Sequence, residues 1–165
     1  MNQKIMRKIF LIFFILCPSL SFGIEKADSV LVIKSELKLY LIKNENIYKS
    51  YHISLGNNPK GHKIKEGDGR TPEGRYILYY KNINSAFYKS IHISFPNKED
   101  KKKAKEKGFN PGGAIMIHGQ KNRLGWLYFV SKYFNWTQGC IGLSNKNMDE
   151  IWTLVDVGTA ILIKP

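Results

Sequence analysis

The chain has 165 residues, with 26 Lys and Arg against 13 Asp and Glu, for a formal net charge of +13. That length is expected to hold one domain around a single hydrophobic core. The excess of positive charge points to a polyanionic neighbour and carries no information about the fold.

The first 23 residues read as a leader. Lys4, Arg7 and Lys8 precede an apolar run from Ile9 to Leu16, then Pro18, and Ser21-Phe22-Gly23 closes with small residues in a cleavage pattern. The run is far shorter than the ~20 residues that a membrane span needs. Residues 1–23 are therefore expected to be a signal peptide and 24–165 one exported domain with no stable membrane span. Of the two cysteines, Cys17 falls in the leader, so Cys140 is expected to be the lone mature thiol. Removing the three leader cations leaves 23 basic against 13 acidic residues, net +10. Export sets nucleic acid aside and leaves anionic membrane or cell-wall polymer as the neighbour.

Strand signals dominate the first half. Ser29–Ile33, Leu37–Ile42 and Ile47–Ser54 are β-type runs, the last two joined by the four-residue connection Lys43–Asn46 in a hairpin. Gly56–Gly69, with Pro59 and four glycines, reads as a flexible loop. A turn at Thr71–Gly74 leads into a strand at Arg75–Tyr80, and Ser90–Phe95 is another. Lys98–Lys107 is charge plus one Ala; without an apolar stripe it cannot pack deeply and is expected to be a solvated surface helix. Ala114–Ile117 is a strand, and the aromatic stretch Gly125–Phe134 is read as helical after Trp126. Ser144–Val155 is the clearest helix, with Ser144 or Asn145 as cap, Asp149 and Glu150 near its positive end, and Met148, Ile151, Trp152 and Val155 on one face. Thr159–Lys164 is the final strand. The whole is an α+β, mostly β, single domain.

Chemistry concentrates in His118-Gly119 and Thr137-Gln138-Gly139-Cys140. A thiol is a nucleophile when a base or positive charge activates it, and His supplies a base near neutral pH. The Gly before the Cys permits a tight turn whose N–H groups can face an oxyanion. The competing reading makes Cys140 a small buried hydrophobe and His118 a strand-end histidine. The pairing predicts a thiol pKa below the ~8.5 of free cysteine. The four histidines show no ligand spacing, so neither metal nor other cofactor is expected.

These residues, with Gly67-Asp68-Gly69-Arg70-Thr71-Pro72-Glu73-Gly74, resemble the signature of the YkuD-type L,D-transpeptidase family, and most closely its YafK-like branch. The resemblance implies a catalytic domain with a mixed sheet or sandwich core and a few short helices. It implies Cys140 as nucleophile, His118 as base, the Gly119 carbonyl orienting the imidazole, and the Gly139 and Cys140 N–H groups as oxyanion donors. Arg70, Thr71, Gln138, Trp136 and Trp126 are expected at the substrate, although both tryptophans read equally well as core. Two positions depart from the family pattern: Gln138 replaces a His and Gly142 an Asn or Arg.

The implied partner is a peptidoglycan stem peptide, with a wall-attached lipoprotein as the alternative, and the implied location is the periplasm or envelope. The implied activity is L,D-transpeptidation in cell-wall cross-linking or remodelling. An amidase or L,D-carboxypeptidase and a non-catalytic wall-binding module are the other readings of the same residues.

Overall fold

The computed structural model describes residues 25–165, so the expected signal peptide and Cys17 lie outside the described residues. Eight strands form one mixed sheet: β1 (Ser29–Ile33), β2 (Lys38–Lys43), β3 (Asn46–His52), β4 (Gly74–Ser85), β5 (Tyr88–Ile93), β6 (Met116–His118), β7 (Ile141–Gly142) and β8 (Ala160–Lys164). Three short helices, α1 (Lys98–Glu106), α2 (Tyr128–Ser131) and α3 (Asn145–Leu154), complete it. The strand order is β3-β2-β1-β8-β4-β5-β6-β7. Pairing is antiparallel except for β1 with β8 and β6 with β7. The expected mostly-β domain is what forms. No helix among the described residues is long and apolar enough to cross a membrane.

Alternation sets the inside of the sheet. Val30 and Val32, Leu39 and Leu41, Ile91 and Ile93 point inward and are almost wholly buried. The β2–β3 turn is tighter than expected. Only Asn44 and Glu45 lie between the strands, both with positive φ, which is the hairpin conformation that matches strand twist. β4 runs five residues past Tyr80 because it changes partner: Gly74–Ile77 pair with β8, and Leu78 onward with β5.

The sheet also closes on itself. Just past β3, Ser54 exchanges two backbone bonds with Gly142 of β7, at 2.9 and 2.8 Å, and Gly56 bridges Thr137 in parallel. The edge strand that would carry the nucleophile's loop is thus tied to the opposite end of the sheet.

Two helices correct the sequence reading. α1 is not wholly solvated: Asp100 and Ala104, four residues apart, are buried. Asp100 accepts from the Tyr76 hydroxyl at 3.2 Å, meets His62 Nε2 at 3.2 Å and closes a capping box with Asn97. A polar face docks this helix where an apolar one is lacking. α3 is capped by Ser144 as expected and buries Met148 and Ile151, with Val155 just beyond. Its first turn holds no acid. Asp149 and Glu150 lie one turn further in and pair sideways, with Lys89 at 2.6 Å and Lys49 at 3.1 Å.

Candidate active site

Register brings the side chains of His118 and Cys140 to one cleft. In β5, β6 and β7 the residues Ile91, Ile117 and Ile141 face the core. The alternate residues face the other way, because successive side chains in a strand point to opposite faces. Parallel pairing sets Ile117 beside Ile141 and His118 beside Gly142. His118 therefore lies one position past the Ile117–Ile141 pair and Cys140 one position before it, on the same face of adjacent strands. Both line one cleft of about 530 Å³.

His118 is 2% exposed. Its Nδ1 lies 2.7 Å from the Gly119 carbonyl oxygen. A carbonyl only accepts, so Nδ1 carries the proton and Nε2 keeps its lone pair. Burial pushes the imidazole pKa down, and the bond to Gly119 opposes this in part. Phe87 and Trp136 flank the ring, with centroids at 4.6 and 5.6 Å.

Cys140 follows a turn that only glycine suits. Gly139 has φ +120°, and a Cβ there would lie 2.5 Å from the Arg70 carbonyl oxygen. Thr137 Oγ1 braces the turn: it accepts from the Gly139 N–H at 3.2 Å and donates to the Cys140 carbonyl at 2.7 Å. The Gly139 N–H, expected as an oxyanion donor, is thereby committed to Thr137. Cys140 Sγ lies 3.6 Å from the Ala114 carbonyl oxygen. Burial pushes the thiol pKa up, and the Met116 N–H and the Lys63 charge offset only part of this. The expected low thiol pKa is not found in the resting site. Desolvation disfavours both charged forms, so the thiol and imidazole rest neutral.

Phe87, Met116, Leu124, Leu127 and Trp136 form the apolar walls of the cleft. Gln120, Lys121, Ser131, Thr137 and Gln138 supply its polar groups. Of the expected substrate residues, Trp136 and Gln138 line this cleft. Trp126 does not: it is 66% exposed on the turn Gly125–Leu127, and its neighbours Leu124 and Leu127 turn inward instead.

Arg70 and Thr71 lie behind the site. Thr71 is fully buried; its hydroxyl accepts from the Gly56 N–H at 3.2 Å and its carbonyl accepts from Lys34 Nζ at 3.2 Å. The Arg70 side chain reaches back toward the His62 carbonyl at 3.5 Å. Nor is their loop loosely held. The buried Asp68 carboxylate accepts from the N–H groups of Ile64, Lys65 and Arg70 and pairs with buried Lys63 at 2.9 Å. Burial alone would push the Asp68 pKa up, but these donors lower it to about 2.

Three further residues carry the site without a sequence signal that singles them out. Buried Gln120 donates to the Leu143 carbonyl at 2.7 Å and accepts from Ser131 at 3.0 Å. Asn145 Oδ1 accepts from the Gln120 N–H at 2.8 Å, tying the segment after His118 to α3. Lys63 sets its charge behind the thiol. Position was the available clue, since Gln120 follows His118-Gly119 and Asn145 opens the helix after the Cys140 loop. No cluster of three His, Cys, Asp or Glu suited to a metal ion exists among the described residues.

The family model of the YkuD L,D-transpeptidase catalytic domain matches residues 27–163. Among solved structures, the helical cell shape determining protein Pgp2 of Campylobacter jejuni is 27% identical, with a TM-score of 0.62 over 82% of this chain and 47% of that one. L,D-transpeptidases from Xylanimonas cellulosilytica and Mycobacterium smegmatis each give a TM-score of 0.54 at 15% identity, a likeness of fold. They are covered over 61% and 58% of their lengths, and this chain over 84% and 82%. The chain thus spans about half to three fifths of these structures. A search of curated protein sequences finds no match.

Proposed function

Because the chain belongs to the L,D-transpeptidase catalytic domain family, we propose that it is a cysteine acyltransferase of the cell envelope acting on peptidoglycan stem peptides. In this reading His118 Nε2 takes the Cys140 thiol proton as substrate enters. The thiolate attacks the carbonyl of an L-centre in the diamino-acid residue, beside a D-centre. The Cys140 N–H steadies the developing oxyanion, while Gly139 contributes its backbone conformation. The imidazolium returns its proton to the departing amine, leaving a thioester on Cys140. A second stem-peptide amine then gives a cross-link and regenerates the thiol; water gives hydrolysis.

One observation carries this reading: the Gly119 carbonyl fixes His118 with Nε2 unprotonated, in the same cleft as Cys140. The carbonyl takes the place of an acidic third member. A site that rests neutral suits acylation triggered by substrate, because closing the cleft over an apolar-walled thiol excludes competing water. Export behind the leader at 1–23, placement within the YafK-like branch and a part in determining cell shape, the role by which Pgp2 is known, belong to the same proposal.

The test incubates the purified protein with tetrapeptide muropeptides and with lipoprotein-linked muropeptides. Mass spectrometry of the Cys140 peptide reads the thioester, and the released products separate cross-linking from hydrolysis. A thioester on Cys140 is expected; turnover that persists in Cys140→Ala overturns the reading.

A further inference from the structure

Among the side chains that line the cleft, one alone bears a full charge. It is Lys121, and no Asp or Glu is among them. Lys34, Lys63 and Lys89 are paired, with Glu73 at 2.7 Å, Asp68 at 2.9 Å and Asp149 at 2.6 Å, whereas several surface lysines among the described residues are not; Lys121 differs from those in lining the cleft. Lys121 enters no ion pair among the described residues. Its carbonyl accepts from the Leu124 N–H at 2.9 Å, in a turn that sets both side chains on the cleft. It stands two residues past Gly119, whose carbonyl holds the base.

We propose that Lys121 is the specificity residue of this cleft, pairing with a carboxylate carried by the substrate residue beside the scissile bond. The inference rests on the stem-peptide reading above and deepens it. In a cleft walled by Phe87, Leu124 and Leu127 and holding no acid, Lys121 is the one cationic partner a substrate anion meets. The same cleft offers nothing to pair with a cation. The cleft therefore favours a carboxylate over an amine as the charged group that turns inward. Two carboxylates meet the description, that of the leaving D-residue and the one on the diamino-acid side chain, and both present the same chemistry to Lys121.

The experiment measures binding to Cys140→Ala, which cannot turn over, by calorimetry. Three synthetic stem peptides are compared: the free acid, the form amidated at the terminal D-residue and the form amidated at the diamino-acid side chain. The free acid is expected to bind about tenfold more tightly than one of the two amides, and which amide fails identifies the carboxylate. That preference is expected to shrink with added salt. It should vanish in Cys140→Ala/Lys121→Met and survive in Cys140→Ala/Lys121→Arg. Lys121 is exposed, so neither change disturbs packing. Equal binding of all three peptides, binding of none, or a preference that persists with Met at position 121 overturns the inference. The acyltransferase reading stands or falls separately, on thioester formation by the protein with Cys140 intact.

Discussion

The ring of Trp136 occupies the space that a side chain on Gly142 would need. A Cβ built on Gly142 falls 2.9 Å from Trp136 Cζ2. Gly142 pairs with His118 across β6 and β7, and the same indole packs edge-on to the imidazole. The glycine that departs from the family pattern is therefore matched, within this chain, to the tryptophan that walls the cleft.

Gly142→Ala forces the indole to move, and overpacking of this kind costs about 1–3 kcal/mol. Thermal unfolding should show a lowered Tm, and kcat/KM should fall because the ring also flanks His118. Combined with Trp136→Ala, the stability losses should be less than additive, since the second change removes the obstacle created by the first. Strict additivity would mean that the two residues do not compete for this space.

The resting thiol should behave as a neutral one. Burial holds Cys140 up and His118 down. Iodoacetamide labelling should be slow at pH 7 and accelerate only above the ~8.5 of free cysteine. The acid limb of kcat/KM should fall below pH ~6.5, the ordinary histidine value, because a depressed His118 stays an unprotonated base further into acid. Fast labelling at pH 6 would reveal a preformed ion pair instead.

Thr137→Val keeps the side-chain shape and removes the hydroxyl between the Gly139 N–H and the Cys140 carbonyl. Thr137 is buried, so an unsatisfied polar group there costs about 1–3 kcal/mol. Tm should drop and thioester formation should slow, with Thr137→Ser restoring most of both. A Val variant with full kcat would return this bridge to a minor role.

Asp68 makes part of the stability depend on acid. Its folded pKa, about 2, lies below the unfolded value of 3.8. The contribution is complete above the unfolded value and is lost as pH falls through the folded one, from ~4 toward ~2, and amounts to about 2 kcal/mol. Asp68→Asn should cost more, about 3–5 kcal/mol, because it leaves Lys63 buried and unpaired. Denaturant melts from pH 2 to 7 check both, and a flat profile in the wild type would exclude the effect.

The strands and the two residues that meet in the cleft, His118 and Cys140, were legible because their signals are local. Val30, Val32, Leu39 and Leu41 carry the alternation, and His118 and Cys140 stand at the ends of recognisable motifs. What escaped was set by distant partners. Arg70 and Thr71 looked like loop residues free to meet substrate, since sequence does not show that three N–H groups and Lys63 converge on the neighbouring Asp68 carboxylate. α1 looked like a solvated surface helix because Asp100 docks through Tyr76 and His62, which lie 24 and 38 positions away in sequence. Trp126 and Trp136 were indistinguishable as residue types, and the turn at Gly125–Leu127 sends one to solvent while the other packs against His118.

The position of β8 governs when this fold can form. The last strand in chain order lies between β1 and β4, so the β1–β2–β3 half and the β4–β7 half are joined along whole strands only through Ala160–Lys164. A nascent chain still awaiting those five residues holds two half-sheets with open inner edges, and it cannot complete its core however long the ribosome pauses. The insertion of β8 recruits partners far away in sequence, Ser29–Ile33 on one side and Gly74–Ile77 on the other, the long-range pairing that slows folding in general. Until that insertion, each half-sheet keeps an inner edge of backbone N–H and C=O groups that nothing else in the fold can cover along its length.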